Sequence, residues 1–245
     1  MAKALFSLNP DLPRAQLAET FQRESRVQIA DVLTRDTAEE LRMILARQTP
    51  WGMAVQSGAE GKPQSFRAEE LRDPARRQQA QQALQGTDAA AARGDYAFRS
   101  MRYSLVEAYL EKWNPGSPQD LLLEHLNDEP FLQLVRDVTG MDDLIKADGH
   151  ASCYGPQQFL GLHSDSHVLE GWRIAYVLNL TIDEWKPDWG GYLLFYDDAG
   201  DVIAGFKPRF NTLNLFAVPQ AHAVSFVPPF APEGRYAISG WLRDR

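Results

Sequence analysis

The feature that most constrains the fold of this chain is a series of short, strand-like segments in its C-terminal part. From about residue 144, apolar and β-branched segments alternate with turns rich in Gly, Pro, Asp or Asn. The predicted strands are 144–154, 159–165, 172–181, 191–197, 202–209, 212–218, 222–228 and 235–242. About eight short strands separated in this way are typical of a double-sheet jelly roll or a small barrel.

The first half of the chain is predicted to be mostly helical, with strands near 26–33 and 51–58. The predicted helices are 14–24, 35–48, 117–126 and 127–140. Asp36 and Thr37 are candidate N-caps of the second helix, because short polar side chains satisfy the first backbone N–H groups. Ser117 is the candidate N-cap of the third helix and is followed by a proline, which suits the first helical position.

These patterns predict a single α+β domain over residues 1–245, because no linker or internal repeat divides the chain. Residues 1–143 would give mostly helical support with a few strands. Residues 144–245 would form the jelly-roll core, also called a double-stranded β-helix, and would carry the functional site.

One segment of the helical half, at about 60–95, is predicted to be a flexible insertion. Its Ala and Gln content favours helix, but Gly86 and Gly94 interrupt it. We expect a helix plus a mobile loop, acting either as a flap or as an exposed insertion without function. The arginines between 60 and 103 are mixed with acidic residues, which is typical of a solvated face.

Composition and charge exclude several classes of protein. The net charge of −8 gives no general attraction for nucleic acid. The one cysteine, Cys153, cannot form an intramolecular disulfide, and we interpret it as a small core residue. The chain has no apolar run of about 18 residues and no signal-peptide pattern at its start, so we expect a cytoplasmic protein that does not span a membrane.

Three residues with metal-binding side chains lie on two of the predicted strands. In the stretch GLHSDSH, His163 and Asp165 are two positions apart, so on a strand they point the same way. His222 begins the seventh predicted strand, which can neighbour the second in an eight-stranded roll. Two imidazoles and one carboxylate form the facial triad of non-haem Fe(II) oxygenases and leave other metal positions open. The sequence therefore predicts an iron site at these three residues.

A candidate anion-binding residue begins the last predicted strand. Arg235 shares one face of that strand with Ser239 and Trp241, because strand side chains alternate. An inward-facing arginine needs a partner, and its planar guanidinium group matches a carboxylate. We therefore expect Arg235 to bind a carboxylate inside the roll.

Several stretches in the last hundred residues resemble the Fe(II)- and 2-oxoglutarate-dependent oxygenases, in particular the prolyl-4-hydroxylase-like branch. They are ASCYGPQQFLGLHSD (151–165), RIAYVLNLT (173–181), DWGGYLLFY (188–196), FNTLNLFAVPQAHAVSFV (210–227) and RYAISGW (235–241). The preceding helices also resemble the usual support for this fold. The resemblance implies Fe(II) as cofactor, bound by His163, Asp165 and His222. The residues that it assigns to the co-substrate 2-oxoglutarate are Arg235, Tyr154 and Ser239.

The resemblance also implies an activity. O2 and 2-oxoglutarate would be consumed, a C–H bond would be hydroxylated, and succinate and CO2 would be released. The implied substrate is a prolyl residue of a peptide or protein, with small molecules left open, and ascorbate is an implied auxiliary reductant. One position departs from the family pattern. Many relatives have a tyrosine where this chain has Val177, and the neighbouring Tyr176 should face the other way.

Other interpretations of the same residues stay open. His167 continues the alternation of His163 and Asp165, but the family pattern uses the later histidine, so we expect His167 to lie beside the site or at the surface. A cupin-like jelly roll with a non-oxygenase or sensing role would need the metal residues but not Arg235. An inactive homologue that binds a partner peptide would need no metal.

Overall fold

The α-helices lie in the N-terminal half of the protein. The computed structural model describes residues 5–165 and 170–245, so His167 lies outside the described residues. Within these ranges the α-helices are α1 (Arg14–Glu24), α2 (Arg35–Arg47), α3 (Pro74–Ala92), α4 (Leu105–Leu110), α5 (Pro118–Leu126) and α6 (Glu129–Thr139). None of the described helices is both long and apolar enough to cross a membrane.

The strands are concentrated in the second half but include four from the first. They are β1 (Arg26–Ala30), β2 (Gly52–Ser57), β3 (Gln64–Phe66), β4 (Ala97–Ser104), β5 (Lys146–Ala147), β6 (His150–Tyr154), β7 (Phe159–Ser164), β8 (Trp172–Asn179), β9 (Leu193–Tyr196), β10 (Val202–Phe206), β11 (Thr212–Ala217), β12 (Ala221–Val224) and β13 (Arg235–Arg243). Each predicted segment of the C-terminal half contains a strand, and the first of them contains both β5 and β6.

The strands form a mostly antiparallel sheet that curls into a nearly closed barrel. Their order is β1-β11-β8-β13-β6-β4-β7-β12-β9-β10, with β2 paired to β4 and β5 paired to β13. The β9 end folds over the β8–β11 region, since Leu193 and Phe195 pack in one cluster with Ala175 and Phe216. Two facing layers joined in this way make a jelly roll, as predicted.

The main hydrophobic core lies between the outer face of the larger layer and the helices. Because side chains alternate along a strand, β8 directs Tyr176 and Leu178 outward and Ala175 and Val177 inward. The Tyr176 ring packs edge-on against Phe131 of α6, at 5.8 Å between centroids. The helices therefore support the sheet from outside, while the inner faces of the strands enclose the cavity.

Two helix starts test the capping predictions. The prediction for α2 is wrong, because the helix begins at Arg35 and Thr34 is the N-cap residue. Thr37 lies inside the helix, where its hydroxyl bonds to the Thr34 hydroxyl over 2.9 Å. The prediction for α5 is confirmed, since the Ser117 hydroxyl accepts a hydrogen bond from the Asp120 N–H over 3.2 Å.

The Ala- and Gln-rich segment forms the long helix α3, and Gly86 does not interrupt it. A glycine inside a helix costs about 1 kcal/mol relative to alanine, and close packing on β2 offsets this cost. A Cβ atom at Gly86 would lie 3.0 Å from the Ser57 hydroxyl oxygen, so the missing side chain allows the approach. Gly94 does follow the end of the helix, with a positive φ of 76°.

A buried arginine connects α3 to the sheet. Arg99 of β4 donates to the Asp88 carboxylate over 2.6 Å and to the Thr87 hydroxyl over 3.2 Å. The same guanidinium group donates to the carbonyl of Gln157, in the turn before β7. The prediction that arginines in this region lie on a solvated face is therefore wrong for Arg99, which is only 8% exposed.

We expect Tyr176→Phe to lower the free energy of unfolding by about 0.5–1.5 kcal/mol, because it removes a hydrogen bond from the half-buried Asp148 carbonyl. The Tyr176 hydroxyl donates to the Asp148 carbonyl over 2.7 Å. Urea denaturation measures the change. Tyr196→Phe is the control, since the half-buried Tyr196 has no hydroxyl hydrogen bond to the described residues. Equal midpoints for the two variants would contradict the role assigned to the Tyr176 hydroxyl.

Candidate metal centre and ligand pocket

Backbone pairing brings the predicted metal residues together. β7 and β12 are antiparallel neighbours, and His163 lies directly opposite His222 in their register. Asp165 follows immediately after β7 ends. One metal-binding atom from each of His163, Asp165 and His222 can be chosen so that all lie within 4.8 Å of one another.

The side chains of this cluster converge on a common point. The two imidazole rings have centroids 4.2 Å apart. His163 Nε2 lies 3.4 Å from Asp165 Oδ1, and His222 Nε2 lies 3.6 Å from Asp165 Oδ2. His222 and Asp165 are buried, and His163 is half-buried. The cluster is thus open to the cavity on the His163 side.

Hydrogen bonds to the backbone set the tautomer of both histidines. His163 Nδ1 lies 3.0 Å from the Gly161 carbonyl oxygen, and His222 Nδ1 lies 2.8 Å from the Gln220 carbonyl oxygen. A carbonyl oxygen only accepts, so each Nδ1 must carry the proton. Each Nε2 then has a free lone pair directed at the cluster, which is the form that binds a metal.

The charges of the cluster also suit a divalent cation. Burial lowers the pKa of His222 to about 4, so its imidazole is neutral at pH 7. Burial raises the pKa of Asp165, but the polar groups around its carboxylate, among them the Trp241 indole N–H, outweigh burial, and the net shift is downward. Two imidazole nitrogens and one carboxylate match the donor set of non-haem Fe(II) sites.

Trp241 holds the carboxylate of this cluster. Its indole N–H donates to Asp165 Oδ2 over 2.8 Å. The indole ring is stacked on Trp172, with 3.9 Å between ring centroids and 6° between the planes. The stacking fixes the ring, and the hydrogen bond then orients Asp165 toward the histidines.

Trp241→Phe should weaken Fe(II) binding by about 10- to 100-fold, because groups that orient a metal ligand commonly contribute that much affinity. Anaerobic titration with Fe(II) measures the loss. Trp51→Phe is a matched control, since the Trp51 indole donates to the Leu45 carbonyl in the outer core, away from the cluster. Unchanged affinity in Trp241→Phe would show that Asp165 needs no such support.

The cluster lines a cavity of about 690 Å³ inside the barrel. Arg235 lies in its wall, 2% exposed, and donates to Asn179 Oδ1 over 3.1 and 3.3 Å. Burial lowers its pKa to about 10, so the group stays charged at pH 7. Among the described residues no carboxylate forms an ion pair with Arg235, so its charge is free to bind an anion in the cavity.

Tyr154 and Ser239 also line this cavity. Tyr154 is opposite Arg235 in the β6–β13 register, and the guanidinium carbon lies 5.6 Å from the centroid of its ring. Burial raises the pKa of the Tyr154 hydroxyl, which is therefore a neutral donor. Ser239 Oγ lies 3.2 Å from His150 Nε2. Val177 is opposite Ser239 in the β8–β13 register, so the missing tyrosine leaves apolar wall there.

His150 also lines the cavity, although no role was predicted for it. Burial lowers its pKa well below the usual range, and the nearby Arg102 adds to the effect, so the ring is neutral. Its centroid is 6.3 Å from that of Trp241. Strand alternation was the available signal, because His150 lies four positions before Tyr154 and therefore on the same face.

A second missed group comes from the N-terminal half. β4, which was not predicted, directs alternate side chains into the cavity, and the residue just before the strand joins them. These residues are Tyr96, Phe98, Ser100 and Arg102. The Tyr96 ring lies 5.9 Å from the His163 ring. The alternation in AFRSMRYS was the missed signal, hidden by the arginines in it.

Comparisons with known proteins agree on the kind of domain. Residues 149–243 match the family model described as the 2OG-Fe(II) oxygenase superfamily. No curated protein sequence matches the chain. Among solved structures, a Pseudomonas putida prolyl-4-hydroxylase is similar, with a TM-score of 0.58 and 17% identity over 95% of this chain and 99% of that one.

Two further similar structures show that the same fold occurs in enzymes with different reactions. A Trichoplax adhaerens prolyl hydroxylase, solved with a peptide fragment of hypoxia inducible factor, has a TM-score of 0.58 and 14% identity over 94% of this chain and 89% of that one. The 2-oxoglutarate-dependent epimerase SnoN from nogalamycin biosynthesis has a TM-score of 0.54 and 12% identity over 94% and 82%. At these identities the likeness is one of fold, and the fold carries more than one reaction.

Proposed function

Because residues 149–243 match the family model of the 2OG-Fe(II) oxygenase superfamily, we propose that this protein hydroxylates a prolyl residue of a peptide or protein. Its cofactor is Fe(II), and its co-substrates are 2-oxoglutarate and O2. When bound, the iron supplies the oxidation that couples decarboxylation of 2-oxoglutarate to succinate and CO2 with transfer of one oxygen atom to a C–H bond.

His163, Asp165 and His222 would hold the iron. The observation that carries this assignment is the orientation of the two imidazole rings, since both Nδ1 atoms face carbonyl oxygens and both Nε2 atoms face Asp165. Such an arrangement is formed before any metal arrives, so little reorganisation is needed on binding.

Arg235 would bind the distal carboxylate of 2-oxoglutarate. It is a buried cation that faces the cavity, and among the described residues its side chain has only the neutral Asn179 as hydrogen-bond partner. A guanidinium fork binds a carboxylate through two parallel hydrogen bonds. Tyr154 and Ser239 would orient the co-substrate by their hydroxyl groups, and Ser239 is in turn held by His150.

Apolar side chains beside His222 would keep water away from the reacting carbon. The Phe216 ring lies 4.8 Å from the His222 ring, and Leu193 and Val224 also line the cavity. A dry site prevents side reactions of a strong oxidant. The whole chain, 1–245, would work as one domain, because β1 and β4 from the first half lie in the same sheet as the matched strands.

The prolyl assignment rests on the relatives rather than on a recognised pocket feature. One similar structure is a prolyl-4-hydroxylase, and another is a prolyl hydroxylase with a bound peptide. Incubation of the Fe(II)-loaded protein with a library of prolyl peptides, with and without ascorbate, tests it by mass spectrometry. Gain of one oxygen atom on a prolyl peptide supports the assignment, and succinate release without any such gain would refute it.

Binding of the iron and of the co-substrate is tested without a substrate. Anaerobic titration with Fe(II) and then 2-oxoglutarate should produce the weak visible absorption of the iron–2-oxoglutarate chelate. The band should require both additions. Metal binding with no band would instead favour a cupin-like metal protein.

A further inference from the structure

The cavity contains a second guanidinium group besides that of Arg235. Arg102 comes from β4, where it lies opposite Ser152 of β6, and Arg235 comes from β13, on the other side of β6. β4 and β13 are two strand spacings apart, so the two backbone positions are separated laterally by about 10 Å. Both side chains line the same cavity.

The described part of the chain gives Arg102 no anionic partner. Among the described residues, no hydrogen bond or ion pair involves its side chain, although Asp148 and Glu107 lie close enough to influence its charge. Asp148 is already used, since its carboxylate accepts from the Trp241 backbone N–H and pairs with Arg243. Arg102 is half-buried, and a partly buried cation whose charge is not paired is available to an anion that enters the cavity.

The surroundings of Arg102 are polar. Ser152 and Ser100 both line the cavity, and both are buried. Their hydroxyl groups can donate hydrogen bonds beside the guanidinium, as a carboxylate requires. On the other side, Arg102 borders a smaller cavity of about 250 Å³ that opens between β4 and the segment after β3.

Two carboxylates of 2-oxoglutarate are already accounted for under the proposed function. One would lie at the iron, and the other would pair with Arg235. Arg102 is therefore available for a third anion, and a cavity of about 690 Å³ is large enough for a second molecule beside a five-carbon diacid. The β4 wall that carries Arg102 also carries Phe98, so an apolar group and a cation lie along one strand.

We propose that Arg102 binds a carboxylate of the substrate, so that the substrate class is acidic. This inference rests on the proposed function and deepens it. The carboxylate belongs either to a free amino acid or to an acidic residue next to the reacting proline in a peptide, and both sources offer the same chemistry to the guanidinium group.

Two acid–amide pairs of probes separate these sources. The first pair is L-proline and L-prolinamide, and the second is acetyl-Ala-Pro-Glu-amide and acetyl-Ala-Pro-Gln-amide. Binding to the protein loaded with Zn(II) and 2-oxoglutarate is measured by NMR titration, which requires no turnover. In at least one pair, the acid should bind the wild type about tenfold or more tightly than the amide, since a hydrogen bond to a charged group contributes that much.

Arg102→Gln should abolish this preference, and Arg102→Lys should retain part of it because the charge remains. Arg93→Gln is the control, since Arg93 is a surface arginine paired with Asp95, and it should keep the full preference. The iron–2-oxoglutarate band of Arg102→Gln should form at wild-type co-substrate concentrations.

Four other results would contradict the inference or the proposed function. If neither acid binds the wild type more tightly than its amide, or if Arg102→Gln keeps the preference, the inference is wrong. If Arg102→Gln instead weakens 2-oxoglutarate binding, Arg102 serves the co-substrate and the inference is also wrong. Absence of the band in the wild type would refute the proposed function itself, which is a separate result.

Discussion

His222→Ala is expected to remove Fe(II) binding and, with it, the anaerobic absorption band given by Fe(II) and 2-oxoglutarate. His222 would supply one of only three protein ligands, and its Nε2 lone pair is fixed by the Gln220 carbonyl. Loss of an orienting group alone costs about 10- to 100-fold in metal affinity, so loss of the ligand itself should cost more than about 100-fold. Equilibrium dialysis against Fe(II) under anaerobic conditions gives the affinity directly.

Two controls separate this effect from a loss of folding. The His222 ring packs against Phe216, so alanine leaves a gap in an apolar region and lowers stability as well. His222→Gln keeps most of the volume and should lose the metal with a smaller loss of stability. His125→Ala removes a histidine from α5, outside the cavity, and should bind iron normally. Wild-type iron affinity in both His222 variants would exclude this residue from the site.

Arg235→Met should weaken 2-oxoglutarate binding by about 10- to 150-fold while leaving Fe(II) binding intact, because it removes about 1.5–3 kcal/mol of charge-assisted hydrogen bonding. The residue would touch the co-substrate and not the metal. Titration of the Fe(II) protein with 2-oxoglutarate, followed by the visible band, gives the affinity. The increase in thermal midpoint that saturating 2-oxoglutarate gives the wild type should be lost at the same concentration.

The type of cation at this position provides a second test. Arg235→Lys keeps the positive charge but loses the planar fork, so it should recover only part of the affinity. The fit around the arginine is tight, since a Cβ atom at Gly191 would lie 3.3 Å from Arg235 Cδ. If Arg235→Met binds 2-oxoglutarate as well as the wild type, the buried cation serves the fold, and the co-substrate must use another residue.

Much of the roll and of the metal cluster could be predicted because both depend on local patterns. Strand alternation and turn residues define β6 to β13, and His163 and Asp165 lie at fixed positions along one of these strands. The pairing of β7 with β12 followed from the usual order of a jelly roll. The roles of these residues in iron binding stay predictions until the metal is measured.

The N-terminal contribution could not be predicted in the same way. β4 pairs with β6 and β7, which lie about fifty residues later in the sequence. No local sequence pattern predicts such a pairing. The sequence shows that the arginines of β4 are charged, which predicts a solvated face. It does not show that the fold buries them wholly or in part. The prediction that Gly86 interrupts the helix was wrong for a similar reason. The low helix propensity of glycine can be read from the local sequence, but the packing of α3 on β2 that offsets it cannot.

Because β4 comes from the N-terminal half, the cavity wall is built from two separate stretches of the chain. The segment that matches the family, 149–243, contains every residue proposed to hold iron and 2-oxoglutarate. The wall formed by Tyr96, Phe98 and Arg102 lies outside it. If that wall contacts the substrate, as proposed for Arg102, changes in it would alter the choice of substrate and leave the residues proposed to hold iron and 2-oxoglutarate unchanged. Protein engineers could use the same separation by exchanging β4 between relatives.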